Sequence, residues 1–182
     1  LIPHFLVLAF LVVGFVGSTL IAFFAILFTG RYPRGLFDFS VGVLRWGWRV
    51  TYYGYGALST DRSPPFSLES QEDYPADLDV PYPEKLSQWL PLVKWFLAIP
   101  HYLVLAILLG GHDGGRMIDK ACERAAGSYP GLLFVLVIFI AFALLFSAKV
   151  QRDLHRLVVG INRWAFRVAV YVGLMSDEYP PF

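Results

Sequence analysis

The sequence predicts an all-α membrane protein made of two tandem pseudo-symmetric repeats. Each repeat is expected to be a transmembrane helical hairpin plus an amphipathic interfacial helix, with short extended proline-rich straps. Three observations predict this. The chain is 57% hydrophobic with a mean hydropathy of +0.56, beyond what a soluble domain of its length carries. It also repeats itself: Ile2-Pro3-His4-Phe5-Leu6-Val7-Leu8-Ala9 returns as Ile99-Pro100-His101-Tyr102-Leu103-Val104-Leu105-Ala106, and Pro64-Pro65-Phe66 returns as Pro180-Pro181-Phe182. Finally, Val41-Gly42-Val43-Leu44-Arg45-Trp46-Gly47-Trp48-Arg49-Val50 returns as Val159-Gly160-Ile161-Asn162-Arg163-Trp164-Ala165-Phe166-Arg167-Val168. The repeats divide the chain into 1–66 (first repeat, its N-terminal part missing), 67–84 (linker and extended strap) and 85–182 (second repeat, with an inserted loop at 110–131). The segment Tyr74 to Ala98 has no counterpart ahead of Ile2, so the native protein is expected to extend upstream with a first copy of that Tyr-Pro-rich stretch.

The copies are offset by 97 residues at the Ile-Pro-His motif and by 118 at the Arg-Trp motif, so the second holds 21 extra residues between them. Insertions are tolerated at exposed turns and not inside packed membrane helices. A turn is therefore expected near Val12 to Gly17, with helical segments up to residue 12 and over 15–29, against the rival of one long helix from Pro3 to Phe28. In the second copy the segments are expected at 89–109 and 130–148. Trp89 to Leu109 has the length of a membrane span. Pro100 removes a donor and crowds the carbonyl four residues back, which predicts a kink near Phe96; Pro3 is expected to act alike.

The third element of each copy is different in kind. Asp38, Gly42, Arg45, Arg49, Tyr52 and Gly56 step by four and three, which places them on one helical face. Arg156, Gly160, Arg163 and Arg167 repeat the stripe. An apolar helix with one charged stripe and flanking aromatics is expected to lie along a membrane surface. Trp46, Trp48 and Trp164 fit an aromatic belt there. Ten of the 15 basic residues follow the two hairpins, which puts the Arg-rich helices on the cytoplasmic side and loop 110–131 outside. Within that loop, Arg116 to Ala126 reads as a short polar helix. The linker from Ser59 to Glu84 carries seven of the 14 acidic residues and is expected near the arginines. Its Tyr74–Pro83 stretch holds too many prolines for a central strand, leaving an edge strand or a strap.

Chemistry is sparse. Net charge is +1, which gives no basis for nucleic-acid attraction. The single cysteine, Cys122, excludes an intrachain disulfide, and no Cys/His spacing suggests a structural metal. His4 and His101, one beside each proline, are the candidates for haem or metal ligation, weighed against histidines that satisfy a backbone carbonyl at a helix break. Arg45 with Arg49 and Arg163 with Arg167 present paired guanidinium forks suited to lipid phosphate or to linker carboxylates, with Trp46 and Trp164 beside them. No nucleophile elbow, phosphate loop or catalytic carboxylate pair is present, so neither an enzyme nor a cofactor is expected.

The motifs Tyr82-Pro83-Glu84-Lys85-Leu86-Ser87-Gln88-Trp89-Leu90, Lys94-Trp95-Phe96-Leu97-Ala98-Ile99-Pro100-His101-Tyr102, Leu44-Arg45-Trp46-Gly47-Trp48-Arg49 and Asp61-Arg62-Ser63-Pro64-Pro65-Phe66 together resemble an uncharacterised bacterial membrane family, domain of unknown function 4389. The resemblance implies a duplicated integral protein of the bacterial cytoplasmic membrane and brings no activity with it. The chain departs from the pattern where Lys149-Val150-Gln151-Arg152 replaces Arg31-Tyr32-Pro33-Arg34. The expected role is a non-catalytic accessory or scaffold subunit of a larger membrane complex, respiratory, photosynthetic or for envelope transport. The partners are then membrane lipids and other membrane subunits. The alternative is a lipid-binding or lipid-translocating protein.

Overall fold

A computed structural model describes residues 2–54, 59–71, 73–109, 131–147 and 152–181. Among them are six helices and no strand: α1 (Ile2–Thr29), α2 (Arg34–Tyr53), α3 (Leu90–Leu97), α4 (Ile99–Leu109), α5 (Leu132–Ser147) and α6 (Arg152–Val172). The inserted loop up to Pro130, with its expected Arg116–Ala126 helix and Cys122, lies outside the described residues, as do Gly56 and the Lys149–Gln151 part of the second turn.

α1 corrects the expected turn near Val12 to Gly17. It is one helix of 28 residues, about 42 Å at 1.5 Å per residue. The repeat offsets show why the inference failed. Residues 2–12 correspond to α4 and 14–29 to α5, so the insertion divides what is a continuous helix in the first copy. The glycines inside α1 do not turn it. Gly14 instead admits Phe39 of α2, since a Cβ there would lie 3.0 Å from the Phe39 ring, and a Cβ on Gly17 would meet nothing within 4 Å. The helix stops at Gly30, whose φ of +66° is the left-handed cap that glycine adopts without strain, and whose N–H donates to Ile26 O at 2.8 Å.

The prolines also behave unequally. Pro3 sits in the first turn of α1, where a missing N–H interrupts nothing, and no break follows it. Pro100 follows a break at Ala98, two residues beyond the expected kink, because Ala98 N–H still reaches Lys94 O at 2.9 Å before α4 begins. Pro3–Thr29 and Leu90–Leu109, the latter comprising α3 and α4, are long and apolar enough to cross a membrane.

α1 packs along α2, α2 touches α6, and α6 also packs on α3, α4 and α5. One core joins Ala22 and Ile26 of α1, Phe37, Val41 and Leu44 of α2, Leu86 of the linker, Val170 of α6 and Met175 just beyond it. A second joins Trp48 of α2, Tyr74 and Ala76 of the linker, Leu133, Val137 and Ile140 of α5, and Val158 of α6. The linker is thus part of both cores. It runs without helix or strand from Ser59 to Trp89, apart from Glu72, which is outside the described residues. Tyr82 donates its hydroxyl to Tyr32 O at 2.5 Å, and Leu86 N–H donates to Gly30 O at 2.9 Å.

Candidate functional site

Past Asp38, which is exposed, the charged stripe of α2 does not face outward. Arg45, Arg49 and Gly42 lie under the linker, and each contributes to seating it. A Cβ on Gly42 would stand 2.8 Å from Leu68 Cβ and 3.0 Å from Leu68 O, so only glycine lets that backbone cross α2 so closely. One turn on, Arg45 donates from Nε to Leu78 O at 2.9 Å and from Nη1 to Leu68 O at 3.3 Å, and its Nε stands 3.0 Å from Asp77 Oδ1. Arg49, whose side chain is 0% exposed, donates to Ser67 O at 3.2 Å, Glu69 O at 2.5 Å and Asp77 Oδ1 at 3.4 Å. A buried guanidinium is tolerated where its donors find acceptors, and here the strap carbonyls and Asp77 take Nη1 and Nη2, while Nε has no partner among the described residues.

The charges tune one another. Burial pushes the Asp77 carboxyl up, but the Ser70 hydroxyl, the Leu78 N–H and the Arg45 and Arg49 charges outweigh it and hold the group below the usual carboxylate value. Burial pulls the Arg49 guanidinium below its ordinary value, against the upward pull of Asp77. Of the two partners read from the sequence for the first arginine pair, the linker carboxylate is therefore the one in contact. A lipid phosphate has no access to the enclosed Arg49.

α6 carries the same series in a different setting. Arg156, Gly160, Arg163 and Arg167 are exposed, and a Cβ on Gly160 would meet nothing within 4 Å. Arg156 stands 3.8 Å from Asp153 in a surface pair. Among the described residues Arg163 and Arg167 make no ion pair. Arg167 borders a cleft of about 590 Å³ between the strap at Leu78 to Pro83 and the end of the chain.

The tryptophans are interior instead of forming a surface belt: Trp46, Trp48 and Trp164 are buried. Trp46 and Trp164 each wall in a histidine. His4 stacks on Phe66 with centroids 3.9 Å apart and meets Trp46 edge-on at 6.0 Å. His101 packs on Trp164 at 5.4 Å and Tyr179 at 4.7 Å. Both are buried, each among rings of its own repeat. His4 is held by those rings and not by a helix-break carbonyl. Among the described residues no group of three or more His, Cys, Asp or Glu side chains is placed to hold a metal ion.

Lys94 stands out in the sequence as a charge inside an apolar span, but its partner does not. Lys94, 1% exposed, places Nζ 2.7 Å from Asp177 Oδ1 and donates to Ser176 O at 2.8 Å, with the Tyr171 ring 5.3 Å away. Asp177 also accepts from Ser87 N–H at 2.8 Å, so it ties both the linker end and α3 to the segment after α6. The available signal was Lys94 as a solitary charge inside an apolar span, which calls for a partner.

Compared with known proteins, residues 1–67 and 127–182 match the model of a family described as Domain of unknown function (DUF4389). No curated protein and no solved structure matches the chain.

Proposed function

The chain belongs to the DUF4389 family, whose description names no activity, and from that premise we propose that it is a non-catalytic, membrane-embedded scaffold or accessory subunit of a larger membrane assembly. The observation that carries this reading is how its charges are used. Among the described residues, the fully buried cationic side chains Arg49 and Lys94 are held by the chain's own linker and C-terminal segment, and neither lines the cleft beside Arg167 or the apolar cavity between α1, α2 and α6. What the chain offers outward is surface. Phe10 and Phe28 on α1 and Phe96 on α3 are more than 70% exposed, in the segments Pro3–Thr29 and Leu90–Leu109 that are long and apolar enough to span a bilayer. Apolar side chains spread round a helix in this way call for lipid or a partner helix to cover them. The arginine stripe of α6 adds a polar surface beside them.

Gentle extraction from native membranes through a tag on this chain, followed by mass spectrometry, tests the reading. Stoichiometric copurifying membrane subunits are the expected result; a stable lone chain overturns it.

One observation favours the lipid-binding alternative. An apolar cavity of about 470 Å³ lies between α1, α2 and α6, walled by Phe5, Leu8, Phe15, Leu44, Val50 and Phe166. Its lining suits an acyl chain held where the two repeats meet. Retention of a defined lipid through purification, lost when Leu44→Trp fills the cavity, is the result this alternative expects. An unchanged lipid content removes it.

A further inference from the structure

The same three residues, at the same spacing, are covered on one helix and bare on the other. On α2, Gly42 lets Leu68 cross the helix, and Arg45 and Arg49 then grip that crossing backbone through the carbonyls of Ser67, Leu68, Glu69 and Leu78, with Asp77 between the two guanidinium groups. On α6, Gly160, Arg163 and Arg167 hold the corresponding positions and are exposed. We propose that the α6 stripe is a docking site for an extended acidic polypeptide segment built like residues 67–79, its backbone crossing at Gly160 and its carboxylate meeting Arg163 and Arg167.

Charge and shape both select this occupant. Where α2 has Asp38, α6 has Arg156, so the second stripe is the more basic of the two and suits a more acidic strap. A lipid headgroup needs the arginines but has no use for a glycine one turn ahead of them. A crossing main chain needs that glycine, as Gly42 shows against Leu68. Arginine forks on α2 are satisfied mainly by carbonyl oxygens in a fixed row, an array that polypeptide supplies and a phosphate does not. The site deepens the scaffold reading and rests on it for the existence of a partner.

A labelled synthetic peptide of residues 66–80, titrated against the full chain in mild detergent, tests the site. Saturable binding is expected, weakened about tenfold or more by Arg163→Gln with Arg167→Gln, by Gly160→Leu, and by Asp77→Asn in the peptide. The altered positions on α6 are exposed, so these variants keep the fold, which the unchanged unfolding midpoint of the double Gln variant confirms. Absence of saturable binding, or binding indifferent to the variants, overturns the proposal. So does a result in which phosphatidylglycerol vesicles, and not the peptide, bind in an Arg163- and Arg167-dependent way. Repeating the native extraction with the double Gln variant separates the two claims: partners that still copurify leave the scaffold reading standing without this site.

Discussion

Gly42→Ala and Gly160→Ala are the same chemical change at matching positions of the two stripes, and the structure gives them different outcomes. On α2 the new methyl would sit 2.8 Å from Leu68 Cβ and 3.0 Å from Leu68 O, both fixed to a backbone that Arg45 and Arg49 hold down. Relieving such overpacking costs about 1–3 kcal/mol. Alanine in a helix interior returns about 1 kcal/mol relative to glycine. Gly42→Ala is therefore expected to lie between neutral and a loss of about 2 kcal/mol. On α6 nothing lies within 4 Å, so the gain of about 1 kcal/mol stands alone. For a domain of this size each kcal/mol moves the unfolding midpoint by about 2–4 °C, so the two variants should separate by several degrees in the same detergent. Limited proteolysis at Glu69 supplies a second readout, faster in Gly42→Ala and unchanged in Gly160→Ala. If Gly42→Ala raises the midpoint as much as Gly160→Ala and leaves cleavage unaltered, Leu68 is not seated on α2 and the clamp is wrong.

Acid should release the strap. Because the Asp77 carboxyl is held below its unfolded value, its contribution is complete above that unfolded value and is lost as pH falls through the lowered folded one. Strap cleavage by an acid-tolerant protease should rise in that acid window in the native chain, while Asp77→Asn shows the raised rate at every pH. Asp177→Asn leaves Lys94 buried without its counter-charge. Since Asp177 itself is 31% exposed, the loss should fall at the low end of the roughly 3–5 kcal/mol typical of a broken buried pair, and Lys94→Met added to it should recover most of the loss in a thermal midpoint. Arg49→Lys should destabilise by about 1–3 kcal/mol despite keeping the charge, because an ammonium cannot span the Ser67 and Glu69 carbonyls; a midpoint equal to the native one would refute that.

The helices around the stripes were legible because a charged face at helical spacing in an apolar chain has few other solutions. The break near Pro100 was legible to within two residues for the same kind of reason, a missing donor. The turn in the first copy was misread because an insertion marks where a chain tolerates extra residues, not where the uninserted copy already bends. In α1 two glycines in sequence look like a hinge, yet Gly14 is there to receive the Phe39 ring, a contact between residues 25 apart that no local pattern announces. The arginine pair was legible as a pair, with its partner left open between lipid phosphate and linker carboxylate. Both suit a guanidinium, and the contacts of Arg45 and Arg49 with Asp77 decide for the linker. The Lys94–Asp177 tie joins residues 83 apart, and the sequence offered only one half of it.

The same residue series, written twice in this chain, acquires two different surfaces. An arginine stripe is compatible with two states, one sealed by an acidic strap and one open, and the state depends on whether a strap passes overhead and not on the stripe itself. α2 is sealed because the linker to the second repeat crosses it, so its arginines become internal and help to join Tyr74 and Ala76 into the second core. α6 meets the same linker away from its stripe, through Val158 in the second core and His155 at the Ser59 hydroxyl. On the stripe itself, Arg167 borders the cleft beside Leu78 to Pro83, while Gly160 and Arg163 stay exposed. Gly42, Arg45 and Arg49 thus form a structural clamp, and Gly160, Arg163 and Arg167, the same residue types at the same spacing, leave a basic surface.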